Sequence, residues 1–222
     1  MTLLVVALSY ALGSISFPAL IARARGVDLR RAGSRKLGGS NLMRQAGVAW
    51  GLTAGVLDGL KACAVIAAAR VLGLDLETQL ACGVAAVAGQ MGPTFFGFDG
   101  GRANATGWGF CVAADPLAAL VMAIPVAAAL VLRGAVRPHP TRLLPVGALA
   151  SFAVWPAVIW EHSGWSATVA GGLAVLALIL VRRVTAGLRA DLATGAPVAR
   201  VIVNRALFDR SELQERGEVA LS

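Results

Sequence analysis

The sequence has 222 residues, of which 57% are hydrophobic and only 14% are charged, against roughly 45–50% apolar and about 25% charged residues in an ordinary soluble domain. This composition excludes a water-soluble globular protein. It also excludes a disordered chain, which needs low hydrophobicity, and three cysteines are too few for a disulfide framework. The chain therefore belongs in a lipid bilayer, and its formal net charge of +8 needs an explanation.

The basic residues are concentrated in four places along the chain. Eighteen of the 20 Lys and Arg residues lie within 23–44, at 102, within 133–142 and within 182–216. A spanning helix needs about 20 apolar residues, and we interpret the apolar segments between these places as seven spans, near 3–23, 47–70, 79–97, 103–114, 116–132, 143–161 and 165–182. The fourth and fifth segments are short and meet at Pro116, so a single kinked helix is an alternative for them.

The distribution of charge predicts the orientation of these spans. With seven spans the two termini lie on opposite sides of the membrane. All four basic segments then lie on the same side, and the positive-inside rule identifies that side as cytoplasmic. We therefore predict an all-α integral membrane protein with about seven transmembrane helices, an outside N-terminus and a cytoplasmic C-terminus. Residues 1–24 lack a basic n-region, which favours a membrane span over a signal peptide.

The sequence predicts two regions, a seven-span membrane domain over 1–188 and a basic cytoplasmic tail over 189–222. The tail mixes basic residues with apolar ones, so an amphipathic helix on the membrane surface, a disordered end and a segment that binds a protein partner all stay open. The two histidines, His139 and His162, have no clustered ligands around them. We therefore predict no metal site and no cofactor.

The first polar segment, Arg25 to Arg44, places four glycines among Arg, Lys, Ser and Asn residues. Glycine lets backbone N–H groups approach an anion, and arginine offers a planar fork to phosphate oxygens. This composition indicates a phosphate-binding loop, although an ordinary cytoplasmic loop with topogenic charges is about equally consistent with it. The segment has no Walker sequence, so a nucleotide-binding P-loop is not indicated.

Two further polar features lie in or near the predicted spans. Gly100, Gly101 and Arg102 follow one apolar run, and Ala103 begins the next, which favours an anion site at a helix N-terminus. Asp58 and Lys61 lie inside the second predicted span with i,i+3 spacing, so they share a helix face and can neutralise each other. Ionisable residues inside a membrane suggest a function, but a structural ion pair is about equally consistent here.

Four stretches of the sequence follow a known order of motifs: 13–17 (GSISF), 33–44 (GSRKLGGSNLMR), 58–62 (DGLKA) and 89–106 (GQMGPTFFGFDGGRANAT). They resemble the motifs G-S-I-x-F, G-S-G-N-I-G-A-T-N-x-x-R, D-x-x-K-G and G-H-x-F-P-x-F-x-x-F-K-G-G-K-G-x-A-T of the bacterial integral-membrane glycerol-3-phosphate acyltransferases that use acyl phosphate, the PlsY type. The resemblance implies a multi-pass protein of the bacterial cytoplasmic membrane with seven spans. It further implies transfer of an acyl chain from acyl phosphate to glycerol 3-phosphate, which gives lysophosphatidate.

The resemblance also implies roles for individual residues. The catalytic positions are Ser34, Arg102 and Gln90, the last at the place of the family's His. Asp58 and Lys61 are structural or accessory residues. The positions that bind the phosphates of the two substrates are Gly33, Gly38, Asn41, Arg44, Gly100 and Gly101.

The sequence departs from the family pattern at several positions. Arg35 and Lys36 replace Gly and Asn of the first motif, and in the second motif Gln90 replaces His, Asp99 and Arg102 replace Lys, and Ala103 replaces Gly. The third motif, H-x-x-N-x-x-R-L-x-x-G-x-E, can be anchored only at Leu192 and Gly195, so that its polar places are taken by Thr185, Leu188, Asp191 and Pro197. Because Gln90 cannot act as a base, we expect the substrate's own phosphate, with a second pKa of about 6, to accept the proton.

These departures leave other functions open. One alternative is a catalytically degenerate paralogue that binds lipid or phosphate and acts as a regulatory or partner-binding membrane protein. Another is an acyltransferase with a changed donor or acceptor. A transporter or channel is disfavoured because the polar residues lie in loops on one side rather than along a midplane path. Nucleic-acid binding is disfavoured because the basic residues are dispersed without an aromatic-lined face.

Overall fold

The structure is a computed structural model that describes residues 1–136 and 143–212. These residues form helices and short connections, and they contain no β-strand. They divide into two compact units, one up to Pro116 and one from Leu117 onwards. The predicted all-α class is confirmed.

The first unit contains both glycine-rich loops. Its helices are α1 (Thr2–Gly13), α2 (Phe17–Ala24), α3 (Gly39–Ala46), α4 (Val48–Val71), α5 (Leu76–Met91) and α6 (Asn104–Ala114), with a 3-10 turn at Thr94–Phe96. The side chain of Ser16 caps α2 by accepting a hydrogen bond from the N–H of Ala19 at 3.4 Å, so the first apolar segment is two helices rather than one. Residues 25–38 connect α2 to α3, and residues 92–103 connect α5 to α6.

The second unit contains α7 (Pro116–Ala135), α8 (Leu143–Ser163), α9 (Ala167–Thr185), α10 (Leu188–Leu192) and α11 (Val198–Phe208). Its last helix, α11, packs against α8 and α9. The predicted boundary at residue 188 therefore lies inside this unit, and the described part of the predicted tail is folded. Residues 213–222 of the tail lie outside the described residues.

Five stretches of helix are long and apolar enough to cross a membrane: Thr2–Ala24, Val48–Val71, Pro116–Ala135, Leu143–Ser163 and Ala167–Thr185. The predicted spans 79–97 and 103–114 correspond to α5 and α6, which have 16 and 11 residues. Asp115 has extended backbone angles, φ −151° and ψ 97°, between the end of α6 and the start of α7. The alternative of one kinked helix over the fourth and fifth segments is therefore wrong, because the helical backbone is interrupted there.

Small residues let the helices of the first unit approach closely. A Cβ atom added at Gly109 of α6 would overlap the main chain of Gly59 in α4, and one added at Gly13 of α1 would overlap Ala86 in α5. Helices in a bilayer associate largely through such close packing rather than through a hydrophobic driving force. The connection 25–38 is anchored by Leu29 and Leu37, which are buried with residues of α2, α3 and α4. This packing fixes the loop that carries Ser34 on the end of α4.

Candidate functional site

Asn41 organises the first glycine-rich loop. Its side-chain NH₂ group donates to the carbonyl oxygens of Leu29, Ala32 and Lys36 at 3.1–3.2 Å, and its Oδ1 atom accepts from the N–H of Ser34 at 3.1 Å. The side chain is 1% exposed, so both ends of the amide are used inside the protein. Asn41, which the sequence predicts to bind substrate, therefore shapes the loop that presents Ser34.

The other predicted residues of this loop lie around Asn41. Ser34 is half-buried, and Arg44 is exposed on α3, one helical turn beyond Asn41. Gly33 has φ +55°, and a Cβ atom there would lie 2.5 Å from Asn41 Oδ1. Gly38 precedes α3 as its N-cap residue. The loop thus leaves the cation of Arg44 at the surface beside a backbone that Asn41 holds in place.

The second glycine-rich loop folds back onto the end of α5. The N–H of Gly100 donates to the carbonyl oxygen of Met91 at 3.1 Å, and the N–H of Gly101 donates to that of Gln90 at 3.2 Å. The last carbonyls of a helix have no partner inside it, and these two find theirs in the glycine pair. We expected Gly100 and Gly101 to hold an anion. Their N–H groups face α5 instead and are bonded to its last carbonyl oxygens.

Donors that suit an anion lie just beyond, at the N-terminus of α6. Arg102 is half-buried, and the first N–H groups of a helix attract negative charge. Within the described part of the chain, two buried oxygen atoms at this N-terminus, Asn104 Oδ1 and Thr106 Oγ1, have no hydrogen-bond partner. Unsatisfied polar atoms inside a membrane protein are costly, so this helix end has the groups that a polar ligand would satisfy.

The two loops meet in space. A Cβ atom added at Gly101 would lie 2.5 Å from the carbonyl oxygen of Leu37 in the first loop, so only glycine permits this approach. Arg30 of the first loop donates to the carbonyl oxygen of Phe96 in the second loop. The structure therefore brings together two segments that are more than 50 residues apart in the sequence.

A cleft of about 450 Å³ opens beside this junction. Its apolar lining includes Ala22, Leu29, Leu37 and Phe96, and its charged lining residues are Arg23, Asp28 and Arg30. An apolar cleft with a few charged groups suits an amphipathic ligand. No local pattern in the sequence indicates this cleft, because its walls come from α2 and from both loops.

A buried polar cluster lies behind the second loop, and it includes three residues that the sequence singled out. Lys61 Nζ lies 3.0 Å from Asp58 Oδ1, and the Gln90 amide donates to Asp58 Oδ2 at 3.0 Å. Lys61 also donates to Gln90 Oε1 and to the carbonyl oxygens of Gly13 and Ile15. The predicted pairing of Asp58 with Lys61 is confirmed. Gln90, which the resemblance made a catalytic position, is 3% exposed and bonded to that pair.

A second buried ion pair, which the sequence analysis did not identify, lies in the second unit. Asp191 Oδ2 is 2.6 Å from both Nε and Nη2 of Arg205, and Ser211 donates to Asp191 Oδ1. Arg205 also donates to the carbonyl oxygens of Ala186 and Gly187. This network fastens α11 to α10 and to the end of α9. Asp191 stands where the family's third motif has Arg. The arginine that pairs with it, Arg205, lies 14 residues further along the chain.

Two residues that replace glycines of the family motifs have a left-handed backbone conformation. Arg35 has φ 57° and Ala103 has φ 53°, a conformation that costs a non-glycine residue roughly 1–2 kcal/mol. We therefore expect Ala103→Gly to raise the thermal denaturation midpoint of the purified protein by a few degrees. Ala105→Gly, at a helical position of α6, is the matched control and should lower the midpoint. A lower midpoint for both variants would contradict this account of Ala103.

Comparison with known proteins finds a matching family model, a similar sequence relative and two similar solved structures. Residues 3–190 match the model of the family described as "Glycerol-3-phosphate acyltransferase". The chain is 37% identical over 192 residues to the glycerol-3-phosphate acyltransferase of Thiobacillus denitrificans, which covers 84% of this chain and 91% of the relative. Among solved structures it resembles the crystal structure of PlsY (YgiH), an integral membrane glycerol 3-phosphate acyltransferase, in its glycerol 3-phosphate form, with a TM-score of 0.73 and 28% identity over 90% of this chain and 98% of that one. The lysophosphatidic acid form of that protein gives a TM-score of 0.72 with 26% identity and the same coverage.

Proposed function

Since the chain belongs to the glycerol-3-phosphate acyltransferase family, we propose that it transfers an acyl chain from acyl phosphate to glycerol 3-phosphate and forms lysophosphatidate. It is a multi-pass membrane acyltransferase of phospholipid synthesis, and the catalytically degenerate alternative is not favoured by the relatives that match it. The observation that carries the proposal is the junction of the two glycine-rich loops at Leu37 and Gly101. It brings together the two loops that we assign to anion binding, and a reaction between two phosphorylated substrates requires such an approach.

We assign the acceptor to the first loop. Arg44 offers a bidentate contact to the phosphate of glycerol 3-phosphate. Ser34, which the loop holds through its N–H bond to Asn41, orients the attacking hydroxyl group. Gly33 and Gly38 give the backbone of this loop its path around the phosphate. The exposed position of Arg44 on α3 supports access from the aqueous side.

We assign the donor to the second loop. The phosphate of acyl phosphate lies at the N-terminus of α6 beside Arg102, where the helix dipole and the guanidinium both favour negative charge. The hydroxyl of Thr106, whose oxygen atom is buried without a partner among the described residues, can donate a further hydrogen bond to a phosphate oxygen. Gly100 and Gly101 fix the path of the loop rather than donating their N–H groups.

The chemistry then needs little beyond positioning and charge stabilisation. The acceptor hydroxyl oxygen forms a bond to the acyl carbonyl carbon, the bond between that carbon and the phosphate oxygen breaks, and inorganic phosphate leaves with the bonding electrons. Arg102 stabilises the charge that grows on the leaving phosphate. The hydroxyl proton passes to a substrate phosphate, whose second pKa of about 6 suits this role. Acyl phosphate is already activated, so no protein base is required.

The acyl chain of the donor needs an apolar place close to the two phosphates. The cleft of about 450 Å³ lined by Ala22, Leu29, Leu37 and Phe96 meets this need, because Leu37 also touches Gly101 at the junction of the loops. Its arginines, Arg23 and Arg30, lie where the chain would join its charged end. These contacts support the cleft as the acyl-chain site.

We further propose that the protein crosses the membrane seven times, with an outside N-terminus and a cytoplasmic C-terminus. The spans are α1 with α2, followed by α4, α5, α6, α7, α8 and α9, which puts both glycine-rich loops on the side that carries most of the Lys and Arg residues. Residues 189–222 form a cytoplasmic region in this topology. Nothing among the described residues of that region points to a protein partner, and none is proposed.

Substitution in the first loop tests the proposal. We expect Arg44→Ala and Ser34→Ala each to lower kcat/KM with acyl phosphate and glycerol 3-phosphate by about ten- to a hundredfold, because each removes a hydrogen bond to a charged or reacting group. The measurement is the formation of lysophosphatidate from labelled glycerol 3-phosphate by purified protein in lipid vesicles. Arg70→Ala at the opposite end of α4 and Ser163→Ala at the end of α8 are the controls. Equal rates for the site variants and their controls would refute the assignment of the acceptor.

A further inference from the structure

We infer that Gln90 is a positioning residue, through which the buried Asp58–Lys61 ion pair holds the Gly100–Gly101 turn in place. This inference rests on the proposed function, and it gives Gln90 a role different from that of a residue that touches the reacting atoms.

Both polar atoms of the Gln90 side chain are bonded to the ion pair. Its Oε1 atom accepts from Lys61, and its Nε2 atom donates to Asp58 Oδ2 at 3.0 Å. The amide nitrogen keeps a second N–H, but the residue is only 3% exposed. The side chain of Gln90 therefore lies inside the protein beside the ion pair.

The cation of the ion pair is itself fully engaged. Lys61 has three N–H donors and four oxygen partners, on Asp58, Gln90, Gly13 and Ile15. It is 4% exposed, as is Asp58. Lys61 therefore acts neither as a base nor as a phosphate ligand. It ties the end of α1 to α4 and α5.

The main chain of Gln90 holds the second loop. Its carbonyl oxygen accepts from the N–H of Gly101 at 3.2 Å, and a Cβ atom added at Gly100 would overlap that same oxygen. Arg102 and the N-terminus of α6 follow directly. A shift of Gln90 would therefore move the donors that we assign to the donor phosphate.

The expected kinetic effect follows from this geometry. Gln90→Met keeps the length of the side chain and removes both hydrogen bonds. If the turn binds a phosphate equally well in the ground state and in the transition state, its displacement weakens substrate binding alone. The KM of Gln90→Met for one phosphorylated substrate should then rise by about tenfold, and its kcat should be nearly unchanged. The proposed function makes that substrate acyl phosphate. The control is Gln79→Met on the same helix, whose amide bonds to the carbonyl oxygen of Leu74 and which should leave both KM values unchanged.

A second background separates action through the ion pair from other roles. In an Asp58→Leu/Lys61→Met protein the partners of Gln90 are gone, so Gln90→Met should change neither KM further and should raise the denaturation midpoint. A fall in kcat of the same size in both backgrounds would mean that Gln90 touches the substrate, and it would overturn the inference. A loss of folded protein with both KM values unchanged would mean a purely structural role, and it would also overturn the inference.

A third variant keeps the test decisive if the ion-pair-free background does not fold. Gln90→His restores the residue type of the related motif, and a catalytic role at this position predicts a higher kcat that depends on pH near the ordinary histidine pKa of about 6.5. Positioning predicts no gain in kcat at any pH. If the wild-type protein shows no transfer, the proposed function fails, and the inference is then tested by binding. Inorganic phosphate should raise the midpoint less for Gln90→Met than for Gln79→Met, and equal shifts would overturn the inference.

Discussion

Lys61→Met is expected to destabilise the folded protein strongly. The substitution removes the cation from a buried site where Asp58, 4% exposed, keeps its carboxylate, and it leaves the carbonyl oxygens of Gly13 and Ile15 without their donor. Removing one partner of a buried ion pair costs about 3–5 kcal/mol, which is a large share of the roughly 5–15 kcal/mol that stabilises a typical protein. The measurement is the thermal denaturation midpoint of purified protein in detergent, which should fall by roughly 6–20 °C.

Two further variants separate the buried charge from the loss of a large side chain. Asp58→Leu/Lys61→Met removes both charges, so it should recover much of the lost midpoint, since apolar replacement of a whole buried pair is often neutral. Arg70→Met removes an exposed cation from the same helix and should change the midpoint little. A Lys61→Met protein as stable as wild type would show that the cluster does not hold α1, α4 and α5 together.

Gly101→Ala is expected to lower the rate of acyl transfer by about a hundredfold or more. The added Cβ atom would lie 2.5 Å from the carbonyl oxygen of Leu37 and 3.7 Å from Nε2 of Gln90. A main-chain carbonyl cannot rotate away as a side chain can, so one loop must move relative to the other. A displacement of about 1 Å at a reacting centre costs on the order of a hundredfold in rate. We therefore expect the rate to fall much more than the denaturation midpoint.

Gly55→Ala is the matched control for this prediction. Gly55 lies on α4, and a Cβ atom there would meet nothing within 4 Å. The variant should keep the wild-type rate with an equal or higher midpoint, since alanine favours a helix over glycine. If Gly101→Ala were as active as Gly55→Ala, the close approach of the two loops would not matter for the reaction.

Features that depend on local pattern were predictable from the sequence. The apolar segments indicated helices, and five of them correspond to helical stretches long enough to span a membrane. The i,i+3 spacing of Asp58 and Lys61 predicted their pairing, because residues three apart on a helix face each other, and the observed distance is 3.0 Å. The glycine-rich segments were correctly placed in connections between helices.

Features that depend on how helices pack were not predictable. Gln90 joins the ion pair only because α5 lies against α4 and α1, and no spacing in the sequence reports this contact. The N–H groups of Gly100 and Gly101 could face an anion or the end of α5, and the choice is made by the fold of residues 92–99. Asp191 and Arg205 lie on different helices, so their pairing has no local signal. Sequence patterns therefore indicated the residues of the proposed site, whereas packing decided which of their polar groups are left for a substrate.

The most direct test of the account is the choice of acyl donor by the purified wild-type protein. Labelled glycerol 3-phosphate is incubated in lipid vesicles with acyl phosphate, with acyl-CoA or with the thioester of acyl carrier protein, and lysophosphatidate and inorganic phosphate are measured. The account predicts lysophosphatidate with acyl phosphate alone, together with one inorganic phosphate for each product molecule. Formation of lysophosphatidate only from a thioester, or from none of the three donors, would contradict it.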